Sequence, residues 1–217
     1  MSILSTLRAI LTLGRGVTVG LTELEAGADP LALFREWFQA ASRAGVFMPE
    51  SMTLATATKD GAPSARMVLL KGSDARGFVF FTNYGSRKAL ELDANPRAAL
   101  VLHWPVLERQ VRIEGSVARI THEESAAYFR TRPRGSRIGA WASEQSRPLE
   151  SRAALEARVR EIEQKYPGDD VPLPGFWGGY RLTPASFEFW QGKANRLHDR
   201  LLYTREASGW KVTRLYP

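Results

Sequence analysis

The apolar positions change period once, early in the chain. Leu31, Phe34, Trp37, Phe38 and Ala41 recur at helical spacing. Asp29 stands before them as N-cap and Pro30 occupies the first helical position, so a helix is predicted there, ended by Gly45. Short β-branched and aromatic runs follow. Met52–Thr58, Ser64–Lys71 and Gly77–Thr82 read as strands, separated by the turn Lys59-Asp60-Gly61 and a glycine-containing loop. A short helix fits Ser86–Asp93, broken at Asn95-Pro96. Ala98–Trp104 and Gln110–Ile120 are again strand-like, Thr121–Thr131 and Arg137–Ser143 helical, and Ser151–Tyr166 an amphipathic helix closed by Pro167-Gly168. Strands are expected over Gly179–Leu182, Ser186–Gln191, Arg200–Arg205 and Trp210–Leu215, with Gly209 at the last turn.

Many short strands with few helices predict a mainly β, α+β architecture: an antiparallel β-barrel decorated by helices. No repeat or linker divides residues 28–217, which are read as one domain behind an N-terminal arm, flexible or lid-like, over residues 1–27. The apolar stretch Ser2–Leu13 has neither a cationic start nor a clean cleavage site, so it is read as part of that arm.

Composition narrows the chemistry. The 217 residues contain no Cys, which excludes disulfides, thiolate catalysis and cysteine-held metals. No run of about 18 apolar residues is present to span a bilayer. The net charge is +7, and 24 of the 30 cationic side chains are Arg. Anionic partners are implied, whether nucleic acid, a lipid surface or phosphorylated small molecules. A GC-rich genome would give the same Arg bias.

Four places concentrate that charge. In Arg66-Met67-Val68-Leu69-Leu70-Lys71, cations end an apolar strand; either they emerge into solvent or each has a partner. At Ser86-Arg87-Lys88, cations open a helix and oppose its dipole, which makes sense if an anion sits at that N-terminus. Tyr128-Phe-Arg-Thr-Arg132-Pro-Arg-Gly-Ser136-Arg137 groups four Arg in what reads as a second anion-seeking cluster or a solvated basic loop. Arg196, His198 and Arg200 alternate as along a strand, all facing one way, with Trp190 nearby. His103 and His122 form no metal-ligand spacing, and neither a dinucleotide nor a P-loop glycine motif occurs.

The blocks RMVLLK, FTNYGSRK, LERQVRIEG, YFRTRPRGS, IGAWASEQSRP, PLPGFWGGYR, FWQG and RLHDR, in this order over residues 28–217, resemble pyridoxamine/pyridoxine 5′-phosphate oxidase. The resemblance implies an FMN-binding split β-barrel and a cytoplasmic homodimer with sites at the subunit interface, having no nucleic-acid or membrane partner. It implies oxidation of pyridoxine 5′-phosphate and pyridoxamine 5′-phosphate to pyridoxal 5′-phosphate, by hydride transfer to non-covalent FMN with O2 as acceptor and H2O2 as product.

The resemblance also gives the clusters roles. The segment Arg66, Met67, Val68, Leu69, Leu70 and Lys71, with Phe81, Thr82, Arg87 and Lys88, should line the FMN site, where Arg66, Thr82, Arg87 and Lys88 should hold its phosphate and ribityl chain. Gln110 should bond the flavin ring. Gln145, Ser146, Trp190 and Arg200 should reach FMN from the other subunit. Lys71, Tyr128, Arg132 and Ser136 should hold the substrate phosphate. Arg196, Leu197 and His198 should place the pyridine ring, with Arg196 and His198 catalytic.

Two departures stand out. The arm's usual Arg-x-x-Tyr is replaced by Leu13-Gly-Arg-Gly16, and position 81 is Phe where Tyr is common. Competing readings are a split-barrel FMN reductase or oxidoreductase with another substrate, an RNA-binding barrel, and a flavin-free pyridoxal phosphate carrier.

Overall fold

Asp29 accepts a hydrogen bond from the Leu31 amide at 2.9 Å and starts helix α1, Pro30–Arg43. Its buried face is Leu33, Phe34, Trp37 and Ala41; Leu31 and Phe38 pack at the margin. Gly45 ends it at φ 75°, a conformation that costs glycine nothing. The computed structural model describes residues 20–22 and 29–217. Apart from 20–22, the expected arm over 1–27 and the stretch Leu13–Gly16 lie outside the described residues.

The strands are β1 Ser51–Ala57, β2 Pro63–Leu69, β3 Gly72–Asp74, β4 Gly77–Asn83, β5 Arg97–Trp104, β6 Arg109–Arg119, β7 Trp177–Gln191, β8 Asp199–Glu206 and β9 Gly209–Arg214. All pairings are antiparallel, in the order β2-β1-β5-β6-β7-β4-β3, with β8 on the far half of β7 and β9 beyond it. The two ends of this path meet in the chain itself: β2 runs through Leu70 and Lys71 into β3, and the Lys71 amide donates to Val79 O on β4. The sheet therefore curls around one core. Met52, Leu54, Leu100, Leu102, Ile113, Phe187 and Phe189 line it, and Phe34 and Trp37 of α1 plug it through edge-to-face contacts with Phe78 and Phe189.

The other helices are α2 Arg87–Ala94, α3 His122–Thr131, α4 Arg134–Ala142 and α5 Arg152–Lys165. In α5 the stripe Leu155, Val159 and Ile162 is only half-buried; the helix packs chiefly on α4. No described helix is long and apolar enough to cross a membrane.

Three expectations are corrected. The two strands read over Gly179–Leu182 and Ser186–Gln191 are one, β7. Pro184 lies at a bulge, where Glu114 faces Ser186 and Gly115 faces Pro184, so Ala185 is the extra residue and the ladder survives the missing N–H. The helix expected from Arg137 begins three residues earlier, at Arg134, after Pro133. Arg196 and His198 do not lie on a strand. Arg196 ends a 3-10 turn, Ala194–Arg196, and β8 starts only at Asp199.

Candidate active site

Helix α2 begins where β4 ends. Ser86 is its N-cap in position, yet its hydroxyl makes no capping bond. Instead, the ammonium of Lys88 turns back and donates to Ser86 Oγ at 3.3 Å, Thr82 Oγ1 at 3.1 Å and Gln145 Oε1 at 3.0 Å. Lys88 is 8% exposed and meets only neutral oxygens there. Burial, and then repulsion from Arg66, pull its pKa down to about 8 against the attraction of Glu91. A cation at a helix start is thus buried as well as opposed to the dipole.

Arg66 is not at a solvated strand end. From β2 it reaches inward and pairs with Glu91 at 3.1 Å, while also donating to Leu54 O at 3.2 Å. Arg87 takes the other Glu91 oxygen at 2.8 Å across one turn of α2. Glu91 also accepts from Ser64 and Thr56. Burial pushes its pKa up, but these hydrogen bonds and the two guanidiniums outweigh that and hold it at about 2. Glu91 was absent from the candidate residues read from sequence; the (i, i+4) Arg87–Glu91 spacing was the available signal.

A cavity of about 240 Å³ opens beside Lys88, lined by Met67, Val68, Leu69, Lys71, Phe81, Thr82, Tyr128, Arg132, Gln145 and Trp177. Ser136 joins Phe81, Thr82, Arg132, Gln145 and Trp177 around an adjoining space of about 370 Å³. Ser146, at φ 72°, lines a third with Arg87 and Glu91. Leu70 is a core residue, 7% exposed, while Lys71 is exposed.

Phe81 stacks on Tyr128, at 3.9 Å between centroids, and on Trp177, at 5.4 Å, and those two rings are themselves nearly parallel, 6.3 Å apart. Phe at position 81 brings no hydroxyl of its own to this stack. Arg132 rests over Trp177, 4.6 Å from the ring centroid, and its Nη1 is buried without a hydrogen-bond partner. Burial lowers its pKa, against the attraction of Tyr128. The four-arginine cluster divides accordingly. Arg134 donates to Gly168 O and Tyr166 O, and Arg137 to Asp169 O, so these two clamp the loop after α5.

The remaining candidates form a second group. Gln110, Trp190 and Arg200 are cross-strand neighbours on β6, β7 and β8. Arg200 pairs with Glu188 at 2.9 Å. His198 packs on Trp190, 4.5 Å between centroids, and its Nδ1 accepts from the Lys193 amide at 3.1 Å. A neutral His198 thus carries its hydrogen on Nε2. Arg196 is exposed, as is Leu197 at 68%, and both Asn195 and Arg196 have positive φ, of 58° and 61°. Backbone strain of this kind concentrates at functional sites.

The two groups lie toward opposite ends of β7. Thr82 pairs with Gly178, twelve residues before Trp190, which is roughly 40 Å of strand contour at about 3.3 Å per residue. Gln145, expected to come from a partner subunit, is bonded to Lys88 and Thr82 of its own chain, because the loop after α4 folds back over β4. Gln110 joins the second group.

Residues 38–166 match the family model described as pyridoxamine 5′-phosphate oxidase, and residues 177–217 match the pyridoxine 5′-phosphate oxidase C-terminal dimerisation region. A Rubrobacter xylanophilus protein named pyridoxine/pyridoxamine 5′-phosphate oxidase is 61% identical over 198 residues, 91% of each chain. A Psychromonas ingrahamii protein of the same name is 54% identical over the whole of both chains. Among solved structures, PhzG from Burkholderia lata in complex with tetrahydrophenazine-1-carboxylic acid aligns with a TM-score of 0.87 at 34% identity, covering 93% of this chain and 100% of its own. A pyridoxamine 5′-phosphate oxidase-related, FMN-binding protein of Nostoc punctiforme shares the fold, with a TM-score of 0.70 at 18% identity, over 88% of this chain and 100% of its own.

Proposed function

The chain belongs to the pyridoxamine 5′-phosphate oxidase family, and on that premise we propose that it oxidises pyridoxine 5′-phosphate and pyridoxamine 5′-phosphate to pyridoxal 5′-phosphate with FMN and O2. One observation carries the reading. A single cavity joins a buried ammonium at a helix start, Lys88, to two further cations, Lys71 and Arg132. Two phosphate seats in one cavity suit a phosphorylated cofactor beside a phosphorylated substrate.

The residues fit FMN. Among the described residues Lys88 has no counter-ion in contact, Ser86 leaves the start of α2 without a side-chain cap, and Arg66 and Arg87 flank it. These groups would hold the cofactor phosphate, with Thr82, Gln145 and Ser146 donating or accepting around it. Met67, Val68, Leu69, Leu70 and Phe81 would wall the site. FMN, when bound, supplies a hydride acceptor and passes the electrons to O2, giving H2O2. Lys71, Tyr128, Arg132 and Ser136 bind the substrate phosphate, and Arg132, with a free buried N–H, is suited to a dianion.

Gln110, Trp190 and Arg200, with Arg196, Leu197 and His198, would complete the site from a second copy. The separation along β7 supports this, as does the match of residues 177–217 to a dimerisation region. There Arg196 and His198 orient the pyridine ring, and Nε2–H of His198 offers it a hydrogen bond. Residues 28–217 act together as one domain in this reading.

The test is to purify the protein, look for a yellow, dissociable flavin, and follow oxygen consumption with pyridoxine 5′-phosphate. Peroxide and pyridoxal 5′-phosphate in equal amounts are expected. A colourless protein that FMN cannot reconstitute would overturn the proposal. Turnover of unphosphorylated carboxylates in preference to the B6 phosphates would move it to another substrate class, that of the tetrahydrophenazine-1-carboxylic acid held in the PhzG structure.

A further inference from the structure

Arg132 is held unlike the other arginines around the cavity. Arg66 and Arg87 share Glu91. Arg134 and Arg137 donate to backbone carbonyls, so although the buried Nε of Arg137 also lacks a partner, that guanidinium is already tied to the loop after α5. Among the described residues no carboxylate pairs with Arg132. Its guanidinium carbon lies 4.6 Å from the ring centroid of Trp177 and 5.5 Å from that of Phe129. The Trp177 ring is itself fixed, being 8% exposed and stacked at 10° to Phe81, which is stacked in turn on Tyr128.

The chemistry of the guanidinium makes this arrangement consequential. Its five N–H donors lie in the plane of the group, whereas a ring attracts its charge through the π face. A carboxylate would hold the cation by occupying the donors that a phosphate needs. A ring face holds it and leaves the donors open, and the buried Nη1 of Arg132 does lack a partner.

We infer that Trp177 is a positioning residue for substrate: its ring, braced by Phe81 and Tyr128, presents the donors of Arg132 to the substrate phosphate without competing for them. Trp177 touches no reacting atom in this scheme and acts through Arg132. The inference rests on the proposed function and deepens it. It assigns affinity for the phosphate group to a residue outside the phosphate-binding set.

The experiment uses the FMN-loaded protein and two probes that cannot be oxidised at C4′, 4′-deoxypyridoxine 5′-phosphate and 4′-deoxypyridoxine. Binding is measured by calorimetry in the wild type, Trp177→Phe, Trp177→Leu, Arg132→Ala and the double variant Trp177→Leu/Arg132→Ala. Trp177→Leu should weaken the phosphorylated probe by about 10- to 30-fold and Trp177→Phe by about 2- to 5-fold, the range of a partly desolvated cation–π contact. The unphosphorylated probe and FMN should bind within twofold of wild type. In the Arg132→Ala background, Trp177→Leu should add less than a twofold effect, because its role passes through Arg132. In turnover, KM for pyridoxine 5′-phosphate should rise while kcat stays within about twofold.

Equal losses for both probes, or an undiminished effect of Trp177→Leu in the Arg132→Ala background, would overturn the inference. If Trp177→Leu does not fold, the Trp177→Phe pair in the same two backgrounds decides by the same criteria. Failure of the wild type to bind the phosphorylated probe would instead count against the proposed function.

Discussion

Glu91 sets its carboxylate 3.1 Å from Arg66 Nη2, although the two belong to different elements, α2 and β2. With Arg87 on its other oxygen and its side chain 5% exposed, Glu91 organises both guanidiniums at the mouth of the proposed phosphate site. A buried carboxylate with two cationic partners is costly to disrupt, because removing it leaves like charges facing one another. Glu91→Gln should lower unfolding free energy by about 3 kcal/mol at neutral pH. The folded pKa of about 2 lies below the ordinary 4.5, so this stabilisation is complete above about pH 5 and drains away as the pH falls toward 2. Urea unfolding across that range should show wild type and variant converging at low pH. A gap that stays constant would argue against the pairing.

Lys88 also has a lowered pKa, but there it is the charged form that the fold disfavours. Its folded pKa of about 8 lies below the ordinary 10.5, so the unfolded chain binds more protons between those values. Stability of the flavin-free protein should therefore gain a contribution from Lys88 as the pH rises from about 8 to 10.5. A bound phosphate dianion restores the charge. FMN binding at pH 8.5 should then take up roughly half a proton or more, read by calorimetry in buffers of differing ionisation enthalpy. Lys88→Met should abolish that uptake and weaken FMN far more than riboflavin, which lacks the phosphate. Equal weakening of both would show that Lys88 serves the ring and not the phosphate.

Gly178 faces Thr82 across β4 and β7, and a Cβ there would lie 2.1 Å from the Tyr84 hydroxyl. Tyr84 is wedged against Tyr180 and covered by Arg119, so it has little room to yield. Gly178→Ala should cost about 2 kcal/mol and loosen FMN through the displaced Thr82. Unchanged thermal unfolding and flavin affinity would mean that the strands adjust freely.

What could be read from the residues alone depended on how local the cause was. The Asp29-Pro30 start of α1 and the Gly45 stop are decided within a few residues, and both are seen as expected. β7 was divided at Pro184 because the bulge that accommodates proline needs Gly115 on another strand. The charge clusters were visible as patterns, but their sorting was not. Only the Arg87–Glu91 spacing was local; Glu91 with Arg66, Asp169 O with Arg137 and Glu188 with Arg200 join residues 12 or more positions apart. The strand assigned to Arg196 and His198 failed because alternation outweighed the one local turn signal: Asn195 is a residue that tolerates positive φ, while the positive φ of Arg196 has no such mark.

Lys71 and the Arg196–His198 turn should separate kinetically. Lys71 is exposed at the cavity and is proposed to meet only the substrate phosphate. Lys71→Ala should raise KM by roughly 10- to 100-fold, the loss of one charge-assisted bond of about 1.5–3 kcal/mol, with kcat little changed. Arg196→Ala and His198→Ala should lower kcat instead, since orientation of the ring matters most in the transition state. Steady-state kinetics with pyridoxine 5′-phosphate distinguishes them, and identical kcat and KM effects in all three would refute the division of roles.

The strongest consequence of two residue groups toward opposite ends of β7 concerns assembly. If each site takes Arg132 from one protomer and Arg196 from its partner, neither Arg132→Ala nor Arg196→Ala homodimers contain an intact site. Unfolding and refolding the two variants together in equal amounts gives half heterodimers. Each heterodimer has one site with both defects and one with neither. The mixture should recover about a quarter of wild-type activity, while either variant alone stays below about a tenth. Recovery should vanish when the variants are mixed without exchange of subunits. No recovery after verified exchange would mean that both groups serve a single protomer, and the shared site would have to be abandoned.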